Sequence, residues 1–570
     1  MSALLLRGAE LWSMKTIRQF FLLVALAFMA GVYIPATAQV VENHNSKVAR
    51  NLEIFNEIYK ALDLFYVDTL AADTVIRWAI DGMLMKVDPF TGYYPADDVD
   101  TGAFMGSDSF VGAFGAAADK LRECGLDRVV IDEPYTNTPS QDAGLKAGDI
   151  ILTVDGKDIK GMMPTKVTEM LRGEAGTTLE LRFLRPGEEK PRTVHITRRI
   201  IQLPAIPYYG IMDDGIGYIN LNSFTSGCAR EMRHALLQLM SQGAKGLVLD
   251  IRDNVGGAIN EAVDITNLFL PKGVKVVYTK GKQASMNHEY STTTDPIAPD
   301  MPLVVLVNGM SASSSEIVSG ALQDMDRAVI MGTRTFGKGL VQAIRDVPYR
   351  GELKITTGRY YIPSGRCIQA HEYNHDGSSK IIPDSLRNTF YTKAGRPVTD
   401  GGGIQPDSVI KNDTLPTMIY DLVQSDIFFD WATDFANSHP AIAAPGEFHV
   451  TDSVYDAFCK YVEDSKFTYN RRSDEVIQLL RRVADMEGYL TDAEEEMKAL
   501  EAKFAPDIHK DLQRMRKHIM PYLESEIIIR YYHQQGSIRH AIPQDKTYRS
   551  AVNLLRDSKA YHAILKLAEE

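Results

Sequence analysis

One stretch, residues 303–342, constrains the fold more than any other: LVVLVNGMSASSSEIVSGALQDMDRAVIMGTRTFGKGLVQ. It opens with an unbroken apolar run to Val307, the pattern of a short strand covered on both faces. Asn308-Gly309 ends that strand. Ser315 is placed to cap a helix whose apolar positions are Ile317, Val318, Ala321, Leu322 and Met325. Residues 328–331 predict the next strand, and Lys338 then stands in a turn between Gly337 and Gly339. A serine held at a strand-to-helix turn exposes its hydroxyl and leaves neighbouring N–H groups pointing outward. That geometry suits a nucleophile. No histidine lies between His288 and His371, and His234 sits in a helical pattern far upstream. The basic side chain expected to reach such a serine is therefore Lys338.

With 570 residues, 45% hydrophobic and 24% charged, the chain is long enough for three or four domains. A net charge of −12 argues against a nucleic-acid partner, because phosphate binding needs clustered Lys and Arg that are missing here. Met14-Lys15-Thr16-Ile17-Arg18 precedes an apolar run at 20–34 and then Ala36-Thr37-Ala38. A basic, a hydrophobic and a small-x-small segment in that order read as a secretory signal over 14–38, cut after Ala38. The run is short for a membrane span, which needs about 20 residues. The expected location is exported and periplasmic, soluble or held at the membrane through an uncleaved signal segment. Cys124, Cys228, Cys367 and Cys459 are widely scattered and read as buried or free thiols. No zinc-spaced Cys/His cluster, HExxH or Walker loop occurs, and the glycine run 401–403 lies in a loop. No metal and no cofactor is expected.

Apolar residues at helical spacing predict helices across 47–87, ended by Asp88-Pro89. From 110 to about 204 the pattern is short strands and turns, with strands at 129–131, 149–154, 179–183 and 193–196 and one helix near 164–171. From 215 to about 344 strands alternate with helices, as in a parallel or mixed sheet with crossovers. Strand and turn signals return over 345–410. After Asn412 the chain is mostly helical: Thr491-Asp-Ala-Glu494 reads as a capping box, Pro506 opens a further helix, and the charges read as a solvated face. The boundaries that follow are a signal peptide at 14–38, an N-terminal helical region at 47–105, a β-rich domain at 106–200, an α/β core at 205–410 and a helical extension at 411–570.

Over residues 50–410 the chain resembles the carboxyl-terminal processing (tail-specific) proteases, secreted serine proteases with an inserted PDZ domain. The most specific match is Ser311-Ala312-Ser313-Ser314-Ser315-Glu316 followed by Thr335-Phe336-Gly337-Lys338-Gly339-x-Val341-Gln342. The resemblance implies that Ser313 is the nucleophile, that Lys338, 25 residues later, is the general base, and that Gln342 orients it. Asp324 matches a supporting position of the family. Leu249-Asp250-Ile251-Arg252-Asp253-Asn254-Val255-Gly256-Gly257 resembles the family's LRNNPGG, with Asp253 and Val255 departing from it. It implies that the N–H of Gly256, or of Gly257, shares the oxyanion with that of Ser314. The helical tail resembles extensions found in Bacteroidota members.

Residues 110–199 resemble the family's PDZ domain through Pro139-x-x-x-Ala143-Gly144-Leu145-Lys146-Ala147-Gly148-Asp149-Ile150-Ile151 and Leu171-Arg172-Gly173-x-x-Gly176-Thr177. PDZ domains take up an extended chain end as an added strand and hold its carboxylate with backbone N–H groups. The loop around Gly112, Ala113 and Phe114 is the matching position, with glycine spacing that departs from the usual GxG. Arg172 matches an arginine through which the family couples this domain to the active site.

The implied fold is a crotonase- or ClpP-like αβ protease core with the PDZ insertion and helical segments at both ends. The implied activity is cleavage, by a Ser/Lys dyad, of proteins recognised through their C-terminal tails. A lysine amine is protonated at neutral pH unless burial lowers its pKa from about 10.4 toward ~7–8; Phe336 and Val341 are the expected apolar neighbours. Expected partners are proteins with free C-termini, a second copy docked through the N-terminal helices, and an adaptor at the C-terminal ones. Two other readings stand beside this. A non-cleaving PDZ scaffold on a protease-like body would be expected to lose Ser313, Lys338 or Gln342, and all three are present. A crotonase-type acyl-CoA enzyme would have neither a signal nor a PDZ block.

Overall fold

The computed structural model describes residues 43–96, 109–112, 121–124, 128–212 and 215–566, apart from 375, 377, 412–414, 470 and 506. The signal at 14–38, Ala113, Phe114 and Pro506 fall outside the described residues. The chain divides into two units, Met1–Ile80 and Asp81–Glu570.

In the first unit α1 (His44–Phe65) is capped by Asn43, whose side chain accepts the Asn45 N–H. Val48, Leu52, Phe55, Leu62 and Tyr66 recur along it at the three-and-four spacing that makes one helix face, and all five are exposed. The chain then enters α2 (Ala72–Leu84), whose first residue accepts the Tyr59 hydroxyl at 3.0 Å.

The second unit opens with β1 (Gly92–Tyr94). Its β-rich domain comprises β2 (Ser109–Gly112), β3 (Leu121–Cys124), β4 (Arg128–Ile131), α3 (Pro139–Asp142), β5 (Ile150–Val154), β6 (Lys157–Asp158), α4 (Pro164–Leu171), β7 (Thr178–Leu184), β8 (Arg192–Thr197) and β9 (Arg199–Gln202). One sheet runs β3-β4-β5-β7-β8 with β6 on β5, and β2 pairs β9. Leu179, Leu181 and Phe183 alternate inward along β7 and meet Val129, Ile151, Val167 and Leu171 in a small core. Arg198 closes the end of α4 by donating to the Leu171 carbonyl at 3.0 Å.

The α/β body comprises β10 (Tyr208–Ile211), β11 (Ile216–Asn220), α5 (Cys228–Ser241), β12 (Gly246–Asp250), α6 (Ile259–Asn267), β13 (Lys275–Gly281), β14 (Glu289–Ser291), β15 (Leu303–Val307), α7 (Ser314–Asp324), β16 (Val329–Gly332), β17 (Leu340–Val347) and β18 (Gly351–Tyr361). Its main sheet runs β10-β11-β12-β15-β16 and ends on Ser408–Val409. All pairs from β11 onward are parallel and β10 is antiparallel. A second sheet runs β1-β18-β13-β14, with β17 also on β18. The reason for the unbroken apolar run in β15 is now visible. Leu303, Val305 and Val307 join the core containing Ile317, Val318, Leu236 and Ile265 from α7, α5 and α6. Val304 and Leu306 point the other way, into a core with Tyr548, Val552, Tyr561 and Leu565.

Those last four residues belong to the helical extension: α8 (Thr417–Gln424), α9 (Ile427–Ser438), α10 (Asp452–Asp464), α11 (Arg472–Met486), α12 (Glu494–Lys503), α13 (Ile508–Ala541), α14 (Lys546–Arg556) and α15 (Ser558–Leu565). α8, α9, α10 and α13 share their own core around Phe428, Phe458 and Leu523, while α14 and α15 cover the second face of the main sheet. Tyr561 both receives the Leu303 N–H at 3.0 Å and donates to its carbonyl. The extension is thus a layer of the α/β body as well as an appendage.

Two local expectations are corrected. Ser315 does not cap α7; the helix starts at Ser314 with Ser313 at the cap, and Ser315 is buried in the first turn, bonded to the Asn254 carbonyl at 2.7 Å. The Thr491 capping box does not form either, because residues 491–493 make a turn and Ala493 precedes α12 without a side-chain cap. None of Cys228, Cys367 and Cys459 is in a disulfide.

Candidate active site

The turn between β15 and α7 separates its serines by role. Ser311 is buried, accepts the Asn308 N–H at 3.0 Å and donates to the Ile251 carbonyl at 2.8 Å, which ties this turn to the one after β12. Ser314 donates its hydroxyl to the Gly257 carbonyl at 2.8 Å. Ser313 is half-buried and adopts φ 54°, ψ −114°, a conformation that costs a residue with a Cβ. Its surroundings hold it there. The Ser313 N–H is donated to Glu316 Oε2 at 2.9 Å, and its carbonyl accepts the N–H groups of Glu316 and Ile317 at 2.8 and 2.9 Å.

Glu316 is fully buried and acts as a hub. Oε1 accepts the Thr335 hydroxyl and, at 2.7 Å, the Gly337 N–H; Oε2 accepts the N–H groups of Ser313 and Lys338, each at 2.9 Å. Burial pushes its pKa up to about 7, against the opposing pull of these donors. With donors on both oxygens, a carboxyl proton has no acceptor to meet. The sequence motif assigns Glu316 no role. The signal was present, since Ser313-x-x-Glu316 has the spacing of a capping box, but it was obscured by placing the cap at Ser315.

Lys338 follows Gly337 (φ 87°), where a Cβ would lie 2.3 Å from that of Ala370, so only glycine fits the approach. The lysine amine rests 4.3 Å from the centre of the Phe90 ring. Its pKa is lowered, chiefly by burial and then by repulsion from Lys354, while Asp88 and Glu316 pull the other way. The apolar cover comes from Phe90, whereas Phe336, expected in that role, is 37% exposed and packs on His371. Asp88 holds Phe90 in place by accepting the N–H groups of Phe90 and Thr91, both at 2.8 Å. No signal near Lys338 in sequence announces this loop. Tyr360, fully buried, places its hydroxyl within bonding distance of the carbonyls of both Ser313 and Lys338. Among the described residues, Ser313 Oγ and Lys338 Nζ do not hydrogen-bond each other. Gln342 donates to Thr356 Oγ1 at 3.1 Å rather than to Lys338.

The glycine turn lies against the serine. A Cβ on Gly256 (φ 102°) would come within 2.8 Å of the Ala312 carbonyl and of the Ser313 Cβ. Its N–H, however, is donated to Asn254 Oδ1 at 2.9 Å, so in this structure Gly256 does not offer the donor expected of it. Among the described residues, the N–H groups of Gly257 and Ser314 donate to no acceptor within the chain. Asp324 sits at the far end of α7, paired with buried Arg366 at 2.8 Å and accepting the Ser364 N–H at 2.9 Å; it supports the loop at 362–366. Gly112 ends β2 opposite Arg199, and Arg172 stands at the C-cap of α4.

Comparison with known proteins assigns three regions of the chain. The peptidase family S41 profile matches residues 215–385, a PDZ-domain profile matches 130–185, and the profile of the C-terminal helical domain of probable PDZ-proteases matches 418–555. The chain is 36% identical over 358 residues to a carboxy-terminal-processing protease of Bartonella bacilliformis, covering 62% of this chain and 80% of that protein. It is 34% identical over 334 residues to a probable CtpA-like serine protease of Staphylococcus aureus, covering 58% and 65%. Among solved structures, the photosystem II D1 C-terminal processing protease aligns with 64% of this chain and 94% of its own at 26% identity and a TM-score of 0.34. The fold and these relatives define a serine-type peptidase carrying a PDZ domain. More particularly, the chain belongs to the carboxy-terminal-processing proteases of peptidase family S41.

Proposed function

We propose that this peptidase works through a Ser/Lys dyad. Neutral Lys338 takes the proton of the Ser313 hydroxyl as its oxygen attacks a peptide carbonyl, and returns it to the leaving amine; water then releases the acyl group from Ser313. The Ser314 N–H and the Gly256–Gly257 turn hold the oxyanion, with Gly257 carrying the unspent N–H of that pair. Gln342 orients the lysine in the acting state, giving up the bond it makes here to Thr356 Oγ1. The observation that supports this reading is that one buried carboxylate, Glu316, carries the backbone of both reacting residues. The lysine side chain must swing from Phe90 toward Ser313 to act.

On this reading the PDZ domain receives C-terminal tails as an added strand beside β2 and α4, with Gly112, Ala113 and Phe114 around the carboxylate and Arg172 relaying occupancy. Export follows from the segment at 14–38; among the described residues no helix is long and apolar enough to cross a membrane. The exposed face of α1 would dock a second copy, and α11, which exposes Val476, Leu479, Leu480 and Met486, would dock an adaptor.

The test is degradation of an unfolded protein with and without an apolar C-terminal tail by the purified chain. Ser313→Ala and Lys338→Ala should each abolish cleavage while leaving the fold, and a covalent inhibitor should be trapped on Ser313. Cleavage surviving either change, or trapping on Ser311 or Ser315, defeats the assignment.

A further inference from the structure

The helical extension joins the PDZ domain to the strand that leads into the glycine turn. Its longest helix, α13, reverses at His533, where φ 57° and ψ −171° fall in a region that glycine takes readily and other residues do not. The two arms lie side by side: Ser525 Oγ and Ser537 Oγ are 2.6 Å apart, and His540 Nε2 is 2.8 Å from Glu524 Oε2. The apex of this hairpin seats in the PDZ domain. There the Gln534 N–H, released from helical pairing by the reversal, is donated at 3.1 Å to Oε1 of the buried Glu133, and His533 Nδ1 is 3.4 Å from the same oxygen. Beside the apex, Phe429 packs on Val130 and Ile150. A Cβ on Gly148 would lie 2.4 Å from Thr433 Cγ2, so the PDZ backbone is seated closely on α9.

The other arm of the hairpin ends at the catalytic body. Asp545 caps α14 by accepting the Tyr548 N–H at 2.7 Å, and it also receives Arg252 Nη1 at 2.7 Å. Arg252 grips Asp250, the last residue of β12, through Nε at 2.9 Å and Nη2 at 2.6 Å, and the Tyr218 hydroxyl completes that buried carboxylate. Four residues beyond Arg252 stands Gly256. The turn between them is bolted to the serine turn, the Ala312 N–H donating to the Asn254 carbonyl at 3.0 Å.

We infer that Asp545 is a positioning residue for the peptidase reaction, transmitting the placement of the PDZ domain from Glu133 through the reversed helix and Arg252 to the oxyanion turn. The chain of contacts is continuous and made of packed, hydrogen-bonded groups, the kind of network that can carry energetic coupling between separated sites. The inference rests on the tail-reading role proposed above.

The experiment uses the full chain and the same tailed and untailed unfolded substrates. Asp545→Asn keeps a good helix cap and removes the charge that holds Arg252. It should lower the kcat gained from a tail by about fivefold or more, leaving KM for the tailed substrate unchanged. Glu133→Gln should do the same from the other end, and the double variant should be no worse than the weaker single. Binding of a free tail peptide should also change amide exchange across residues 530–545. An unchanged kcat gain in Asp545→Asn, multiplying effects in the double variant, or unaltered exchange overturns the inference. Equal cleavage of both substrates by the unaltered chain overturns tail reading, and the inference with it. Absence of any cleavage overturns the dyad instead.

Discussion

Glu316 receives the backbone N–H of Lys338 at 2.9 Å, and the same oxygen receives that of Ser313. The proposed nucleophile and its proposed base therefore share one support, and the separation of their backbones is set before either side chain moves.

Replacing that support should be costly. Glu316→Ala strips the buried acceptor from four donors, each left unsatisfied at a cost of about 1–3 kcal/mol. Denaturant unfolding should show a fall of about 3 kcal/mol or more, with peptidase activity lost even at temperatures where the variant remains folded. A variant of native stability and activity would remove Glu316 from its place in the argument.

Activity should fall as pH drops. Lys338 acts only when neutral; its lowered pKa means that the proton leaves at a lower pH than from a free lysine, so the active fraction rises with pH through that pKa. Glu316, with a pKa near 7, takes up a proton as pH falls through that value and must then give up one of its four donors. Both effects act in the same direction, and kcat/KM against pH should show an acid limb.

That limb can be moved by residues outside the motif. Phe90→Ala admits water to the amine, and Lys354→Ala removes a repelling charge, so each lets the Lys338 pKa climb back toward that of free lysine. In both variants the limb should shift to higher pH. A shift to lower pH in either would contradict the causes assigned here.

Gly256→Ala forces a Cβ to within 2.8 Å of the Ala312 carbonyl and of the Ser313 Cβ. Displacing the serine turn should reduce kcat by about 10²–10³, the loss seen when oxyanion geometry is broken. Gly243→Ala, at a turn with open space around it, serves as the control. It should affect stability by about 1 kcal/mol and leave kcat unchanged.

Much of this was legible beforehand where a local pattern determines the outcome. The consecutive apolar residues of β15 read as a strand covered on both faces because no alternation was needed, and the spacing from Ser313 to Lys338 carried the family likeness. What could not be read were contacts between residues remote in sequence. Asp88, read with Pro89 as a helix terminator, holds Phe90 in place as the cover of the lysine. The tail after 412 looked like a solvated bundle, since α14 and α15 hide their apolar face only against a sheet formed hundreds of residues earlier. The state of the Gly256 N–H was hidden for a smaller reason: Asn254, read as one letter of a motif, captures it.

The lid that α14 and α15 place over the main sheet has a consequence for the order of biogenesis. A nascent chain that has already delivered Lys338 still shows Tyr218, Val248 and Leu306 to water until residues 546–565 arrive. That face of the main sheet is therefore covered only once residues 546–565 have been made, so the sheet and the extension complete one core together.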